Sequence, residues 1–388
     1  VNRALGFARL ALAATLLGAG LAACDKDKDV EPPKALVAFQ ARIAVERVWS
    51  ASLGGKNRRL RLALAPAIDD GHLYAAGGDG AVGAFDAATG RSLWHATFKL
   101  PLSAGPGIGA GVVVIGALDG QVLALDAATG ARRWVVRTSG EVLAAPVVTS
   151  NGIMLRTVDG RIHNLSLADG HEVWTNDQPV PALTLRGTAA PTVVGDAVVA
   201  AFDNGKVAAY SLNNGDILWD TAVSPSRGKT ELERLVDIDG SVVADGHDLF
   251  VVGFQGRVAQ IGLDSGQIWW SRDASSYRGL ALAGDSLFVS SADGKVVAMS
   301  RRDGSERWTQ DGLARRGITR PAVDGDAIVV ADFQGVVHWL DRATGEIIGR
   351  TDTARKSPVT TAPIAVGGMV YLQNDAGQVF ALRGRPRS

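Results

Sequence analysis

The stretch Gly120-Gln-Val-Leu-Ala-Leu-Asp-Ala-Ala-Thr-Gly-Ala-Arg-Arg-Trp134 decides how this chain folds. It reads turn, strand, turn, strand. Gly120 follows Asp119 in a tight turn, Val122 and Ala124 alternate along a strand, Gly130 closes a second turn, and Trp134 lies in the next strand. The phrase recurs as DGAVGAFDAATGRSLW ending at Trp94, DGRIHNLSLADGHEVW at Trp174 and NGKVAAYSLNNGDILW at Trp219. It returns as QGRVAQIGLDSGQIWW at Trp270 and DGKVVAMSRRDGSERW at Trp308. A seventh copy, QGVVHWLDRATGEIIG, has Gly349 in place of Trp, and a truncated eighth, AGQVFALRG, comes last.

The spacing makes this a repeat architecture. The first-turn glycines are Gly80, Gly120, Gly160, Gly205, Gly256, Gly294, Gly335 and Gly377, a period of 38 to 51 residues. The first-turn and second-turn glycines stand 10 residues apart in every full copy, from Gly80 and Gly90 to Gly335 and Gly345. A fixed separation means a fixed strand, so the length variation lies elsewhere. A period near 40 with four strand-like pieces per copy is the pattern of a β-propeller.

The third copy shows the parse. Strands are expected at 144–149, 153–158, 161–167 and 171–175, with turns at Asn151-Gly152, Asp159-Gly160 and Asp169-Gly170. The last copy supplies only three, at 362–365, 369–373 and 378–382, whereas 47–53 near the start is an orphan carrying Trp49. Pairing the orphan with the last three completes an eighth blade and removes open edges. The expectation is an all-β fold, an eight-bladed β-propeller of four-stranded antiparallel blades. Each repeated Trp sits on an outermost strand, where an indole can bury roughly 150–250 Å². Its expected role is packing on the neighbouring blade, so the seam at Gly349 should be packed differently.

Ahead of the repeats, residues 1–23 carry Arg3, Arg9 and an apolar run from Leu10 to Leu17, a secretory signal pattern. Leu21-Ala22-Ala23-Cys24 resembles a bacterial lipobox, which would make Cys24 a lipidated anchor. Asp25, next to it, resembles an inner-membrane retention signal of enteric bacteria; that bears on the choice of membrane and not on anchoring. Residues 24–44, with Asp25-Lys-Asp-Lys-Asp29 and Pro32-Pro33, read as a charged tether, and 45–386 as the propeller. The D-x-D-x-D run is not a calcium loop, because Val30 and Leu36 occupy the positions that need Gly and Glu.

The chain has 40 basic and 40 acidic residues and one cysteine. Removing Arg3 and Arg9 with the signal leaves 38 against 40. A near-neutral body gives no electrostatic footprint for nucleic acid, and a lone cysteine builds no disulfide framework. Catalytic patterns fail on inspection. Gly105-Pro-Gly-Ile-Gly-Ala110 mimics a dinucleotide fingerprint but leads into the strand-like Val112-Val-Val-Ile115. The six histidines show no metal-ligand spacing, and no G-x-S-x-G elbow frames a serine.

Two inter-blade connections are longer than the rest: Gly170 to Gly195 is 25 residues and Gly215 to Gly246 is 31, against 18 to 22 elsewhere. The extra residues fall in 176–187 and 224–240. These loops join successive blades and should emerge together on one face, where insertions of repeat proteins usually bind. The first holds Leu183, Leu185 and Arg186, the second Asp237 and Asp239. Length and composition fit two readings equally: a partner-binding patch, or leucines tucked under the loop with charges solvating it.

The lipobox, the Trp-type repeats and the loop motifs LTLRG and ERLVDIDG together resemble the BamB family, propeller lipoproteins of the bacterial outer-membrane β-barrel assembly machinery. The resemblance spans essentially the whole chain, and the loop motifs are its specific part. It implies a non-enzymatic scaffold, lipid-anchored in the outer membrane and facing the periplasm, that helps fold and insert unfolded β-barrel clients. It also implies that Leu183, Leu185, Arg186, Asp237 and Asp239 contact the POTRA domains of BamA, and it implies no cofactor. The repeat also resembles blades of pyrroloquinoline-quinone-dependent dehydrogenases, the alternative reading; many of those carry an adjacent cysteine pair that this chain lacks.

Overall fold

Hairpin turns at the recurring Asp-Gly and Asn-Gly pairs set the architecture. Gly120 and Gly130 take φ of 80° and 71°, the left-handed region in which the hairpin loops 118–120 and 127–131 turn back into the next strand. The computed structural model describes residues 31–54, 62–185, 189–225, 229–230, 232–233, 235–353 and 357–387. Among these it contains thirty-two strands, grouped into eight four-stranded antiparallel sheets. Seven blades are contiguous in sequence: 67–97, 102–137, 147–177, 192–222, 243–274, 280–310 and 322–352. The eighth takes three strands from 364–386 and its outer strand, Ile43–Ser52, from the other end of the chain. The chain is therefore an eight-bladed β-propeller closed by its two ends.

The closing strand runs longer than the expected 47–53. Ile43 pairs with Pro386 and Ser52 with Gln378, because the third strand of that blade continues past Leu382 to Pro386. Ile43 and Val45 pack on the core of blade 7, so extending the pairing buries apolar surface at a seam. In blade 3 the innermost strand is shorter than expected, Val147–Thr149. Pro146 has no N–H for a ladder, and Ala144 and Ala145 before it line a cavity instead.

The tryptophans lock each blade to the next in a repeating way. The indole N–H of Trp49, Trp94, Trp134, Trp174, Trp219, Trp270 and Trp308 donates to a backbone carbonyl of the following blade at 2.6–3.1 Å. The same indole lies on that blade's second-turn glycine; a Cβ at Gly130 would sit 2.5 Å from Trp94 Cε3. The fixed Gly-to-Gly distance in the sequence is thus also a packing requirement. Indole burial of this kind is worth on the order of 4–6 kcal/mol per residue.

Blade 7 keeps the seam by exchanging partners across the sheet. In the other blades the Trp faces a third-strand residue beside a bulge, as Trp134 faces Ala124. In blade 7 Gly349 on the outer strand faces Trp339 on the third, at the same bulge. Trp339 is fully buried, and Ile43 fills the space over Gly349. The expectation of a different seam at Gly349 holds.

Blade 5 departs in its first turn. Gly256 belongs to the strand Gly256–Gly262, and Gln255 takes the positive φ of 47° instead. Glycine is required at 256 for space: a Cβ there would lie 2.4 Å from Ser224 Oγ, at the start of the longest loop.

Residues 31–42, assigned to the tether in the sequence, run without regular structure along blades 6 and 7. Lys34 N–H donates to the Ala314 carbonyl at 3.0 Å, Arg315 Nε to the Pro32 carbonyl at 2.9 Å, and the Arg350 guanidinium lies over the Phe39 ring.

Candidate partner-docking site

The two long loops leave the outer strands Glu172–Asp177 and Ile217–Ala222 and enter the inner strands Thr192–Val194 and Val243–Asp245. In an antiparallel four-stranded blade the outer strand ends where the next inner strand begins, so both loops emerge on one face of the ring. Blade 4 lies between them.

The first loop is tied at its root. Gln178 N–H donates to the Gly160 carbonyl at 3.1 Å, and Gln178 Nε2 donates to the Tyr210 hydroxyl at 3.2 Å. Burial pushes the Tyr210 phenol up to about 12, so it stays protonated. Beyond the root, Val180 and Leu183 project outward, 40% and 41% exposed.

The second loop is anchored at both ends and capped in its middle. Val223 and Ser224 N–H both donate to the Gly205 carbonyl, and Arg257 N–H donates to Ser224 Oγ at 3.0 Å. At the far end Phe254 N–H donates to the Asp237 carbonyl at 2.7 Å, while Leu235, Val236 and Ile238 are buried. In the middle Glu233 Oε2 accepts from Lys229 N–H at 2.7 Å and Thr230 N–H at 3.2 Å, and Glu233 N–H donates back to Thr230 Oγ1. Those backbone donors hold the Glu233 carboxyl below the usual range. The capped turn presents Leu232, 65% exposed.

A hydrogen bond joins the loops: Leu185 N–H donates to Asp237 Oδ2 at 2.9 Å. Asp237 is fully buried. Burial first, then the nearby carboxylates of Asp239 and Asp203, push its carboxyl up to about 8. Asp203 is itself paired with the buried Arg156, whose guanidinium lies 4.9 Å from the centre of the Phe202 ring. The site therefore has a polar, buried base that fixes the loops and an apolar, exposed rim.

The residues singled out in sequence are placed as follows. Leu183 is on the rim, Leu185 is half-buried and supplies the bridging N–H, Asp237 is in the base, and Asp239 lines a cavity on the ring axis. Arg186 and Cys24 lie outside the described residues. Leu235 and Val236 are tucked in, whereas Leu183 and Leu232 are exposed, and the Asp237 carboxyl is buried and does not solvate the loop.

Comparison with known proteins agrees with the fold. The family model described as outer membrane protein assembly factor BamB matches residues 34–97, 78–310 and 311–385. The outer membrane protein assembly factor BamB of Pseudomonas aeruginosa is 40% identical over 375 residues, covering 96% of this chain and 97% of that protein. That of Alkalilimnicola ehrlichii is 42% identical over 376 residues, covering 97% and 96%. The chain belongs to the BamB family. The crystal structure of BamB from Moraxella catarrhalis superposes with a TM-score of 0.80 at 29% identity, covering 88% of this chain and all of that one. A quinohemoprotein alcohol dehydrogenase from Comamonas testosteroni superposes at 0.68 with 14% identity, a likeness of fold alone.

In this BamB-family chain the rim residues Leu232 and Val180 were missed by sequence reasoning. Leu232 carried a usable signal, since it stands between Glu231 and Glu233 with no alternating neighbours to mark it as core.

Proposed function

We propose that this chain is a non-catalytic scaffold of the outer-membrane protein assembly machinery that docks on the POTRA domains of BamA. Leu183 anchors the contact, Leu185 and Asp237 hold the two loops in register, and Arg186 and Asp239 supply charge at its border. The chain is anchored through a lipid on Cys24 after removal of residues 1–23, stands on the periplasmic side of the outer membrane, and assists the insertion of unfolded β-barrel clients that it meets transiently. The observation that carries this reading is the Leu185–Asp237 hydrogen bond, which unites both long loops beneath an exposed apolar rim. Exposed apolar side chains over a fixed base suit a protein contact, where a few anchors carry most of the affinity.

The test is direct binding of the full-length lipoprotein to detergent-solubilised BamA of the same bacterium. Leu183→Asp places a charge on the rim without touching the buried base, and should weaken binding at least about tenfold. Equal binding by the variant, or none by the wild type, removes the docking assignment.

A further inference from the structure

The approach segments to the inner strands converge on the ring axis around a cavity of about 380 Å³. Much of its wall is small and apolar, including Leu62, Leu143, Ala145 and Ala190. Three charged residues line it: Arg278, Arg320 and Asp239. Arg278 is engaged, donating from Nη1 to the Thr360 carbonyl at 3.2 Å and stacking 5.0 Å from the Tyr277 ring centre. Its charge is also felt by the half-buried Asp375.

Arg320 is different. Its aliphatic carbons lie on Gly279, where a Cβ would be 3.3 Å from Arg320 Cδ. Gly279 in turn abuts Gly240, so a pair of glycines from blades 5 and 6 makes room for this one side chain. Among the described residues Arg320 makes no hydrogen bond and no ion pair, and its Nε is sealed from solvent. A sealed guanidinium N–H without an acceptor is costly, and the rest of this half-buried group faces the cavity. Burial alone lowers its pKa, with no carboxylate acting against that.

We infer that the axial cavity binds a carboxylate attached to an apolar body, with Arg320 as the charge partner. A planar guanidinium matches a carboxylate in a forked, two-bond geometry. The alanine and leucine wall suits an aliphatic group behind it, and the volume admits about one amino-acid residue and not a folded domain. The ligand can be a small free acid or the C-terminal residue of a polypeptide, since both present the same group. The site shares Asp239 with the border of the proposed docking surface, but Arg320 takes no part in that surface, so the inference does not rest on the docking assignment.

The experiment is calorimetric titration of the full chain with three probes: N-acetyl-leucine, a ten-residue peptide ending in leucine with a free carboxylate, and the same peptide amidated. Binding of N-acetyl-leucine supports a small-acid site; binding of only the free-carboxylate peptide supports a polypeptide terminus. In either case Arg320→Gln should weaken binding at least about tenfold, the usual scale for one charge-assisted pair. Arg320→Met should also raise the Tm of the unliganded chain, because it removes an unpaired charge, and this confirms that the variants fold. No binding by any probe at millimolar concentration, equal binding of the amide, or undiminished binding by Arg320→Gln overturns the inference.

Discussion

Leu185 donates its backbone N–H to Oδ2 of Asp237 across 52 positions of sequence, and this 2.9 Å contact sets how the two long loops lie on blade 4. The acceptor is a buried carboxyl with Asp239 and Asp203 near it. The clasp is therefore sensitive to proton uptake.

Unfolded, the Asp237 carboxyl loses its proton near its ordinary value of 3.8; folded, it keeps it up to about 8. Between those values the folded chain holds a proton that the unfolded chain has released. The stabilising contribution is full below about 4 and is lost as pH rises through 8. Asp237→Asn retains an acceptor for the Leu185 N–H and removes the titration. Thermal unfolding from pH 5 to 8 should show the wild type losing stability relative to this variant; parallel curves would contradict the assignment.

Gly130 has φ of 71° and lies under the indole of Trp94. Gly130→Ala should cost roughly 2–4 kcal/mol, from left-handed backbone strain and overpacking together. Gly195 has φ of 56° but open space around its Cα. Gly195→Ala should cost about 1–2 kcal/mol, from backbone strain alone. Urea unfolding of the two variants side by side separates the terms.

Removing residues 31–52 strips the outer strand from blade 8 and bares the edge of Gln378–Pro386 along with the seam over Gly349. An unpaired edge next to exposed core associates with other copies. Light scattering should find this truncated chain in oligomers while the full chain stays at its own mass.

Leu232 stands out on the capped turn of the second loop. Leu232→Asp should change unfolding free energy by no more than about 0.5 kcal/mol, as surface substitutions do. It should weaken BamA binding measured on the same preparation. A loss of stability would instead make Leu232 part of the loop's own packing.

The architecture is legible because its determinants are local. Asp-Gly turns, a constant ten-residue strand unit and a recurring Trp are each visible within one copy, and an incomplete last copy with an orphan Trp49 implies the ring closure. The exchange of Trp339 and Gly349 across blade 7 is half legible: the missing Trp shows, but its replacement depends on a cross-strand pairing. The base of the docking site is not legible at all. Asp237 and Asp239 look alike in sequence, yet one accepts from the Leu185 N–H in the buried base and the other lines the axial cavity, a difference set by where the second loop meets the ring and not by residue type. Arg320 is equally opaque, because its lack of a partner is a property of a cavity assembled from many blades.

The docking role is tested most directly by affinity purification of the full-length lipoprotein from detergent-solubilised envelopes, with a parallel sample carrying Leu183→Ala, Arg186→Ala and Asp239→Ala together. Partners are identified by mass spectrometry, and folding of the variant is checked by its circular dichroism. The expected result is BamA with the wild type and its loss from the folded triple variant. BamA absent from both, or equally abundant in both, would contradict it.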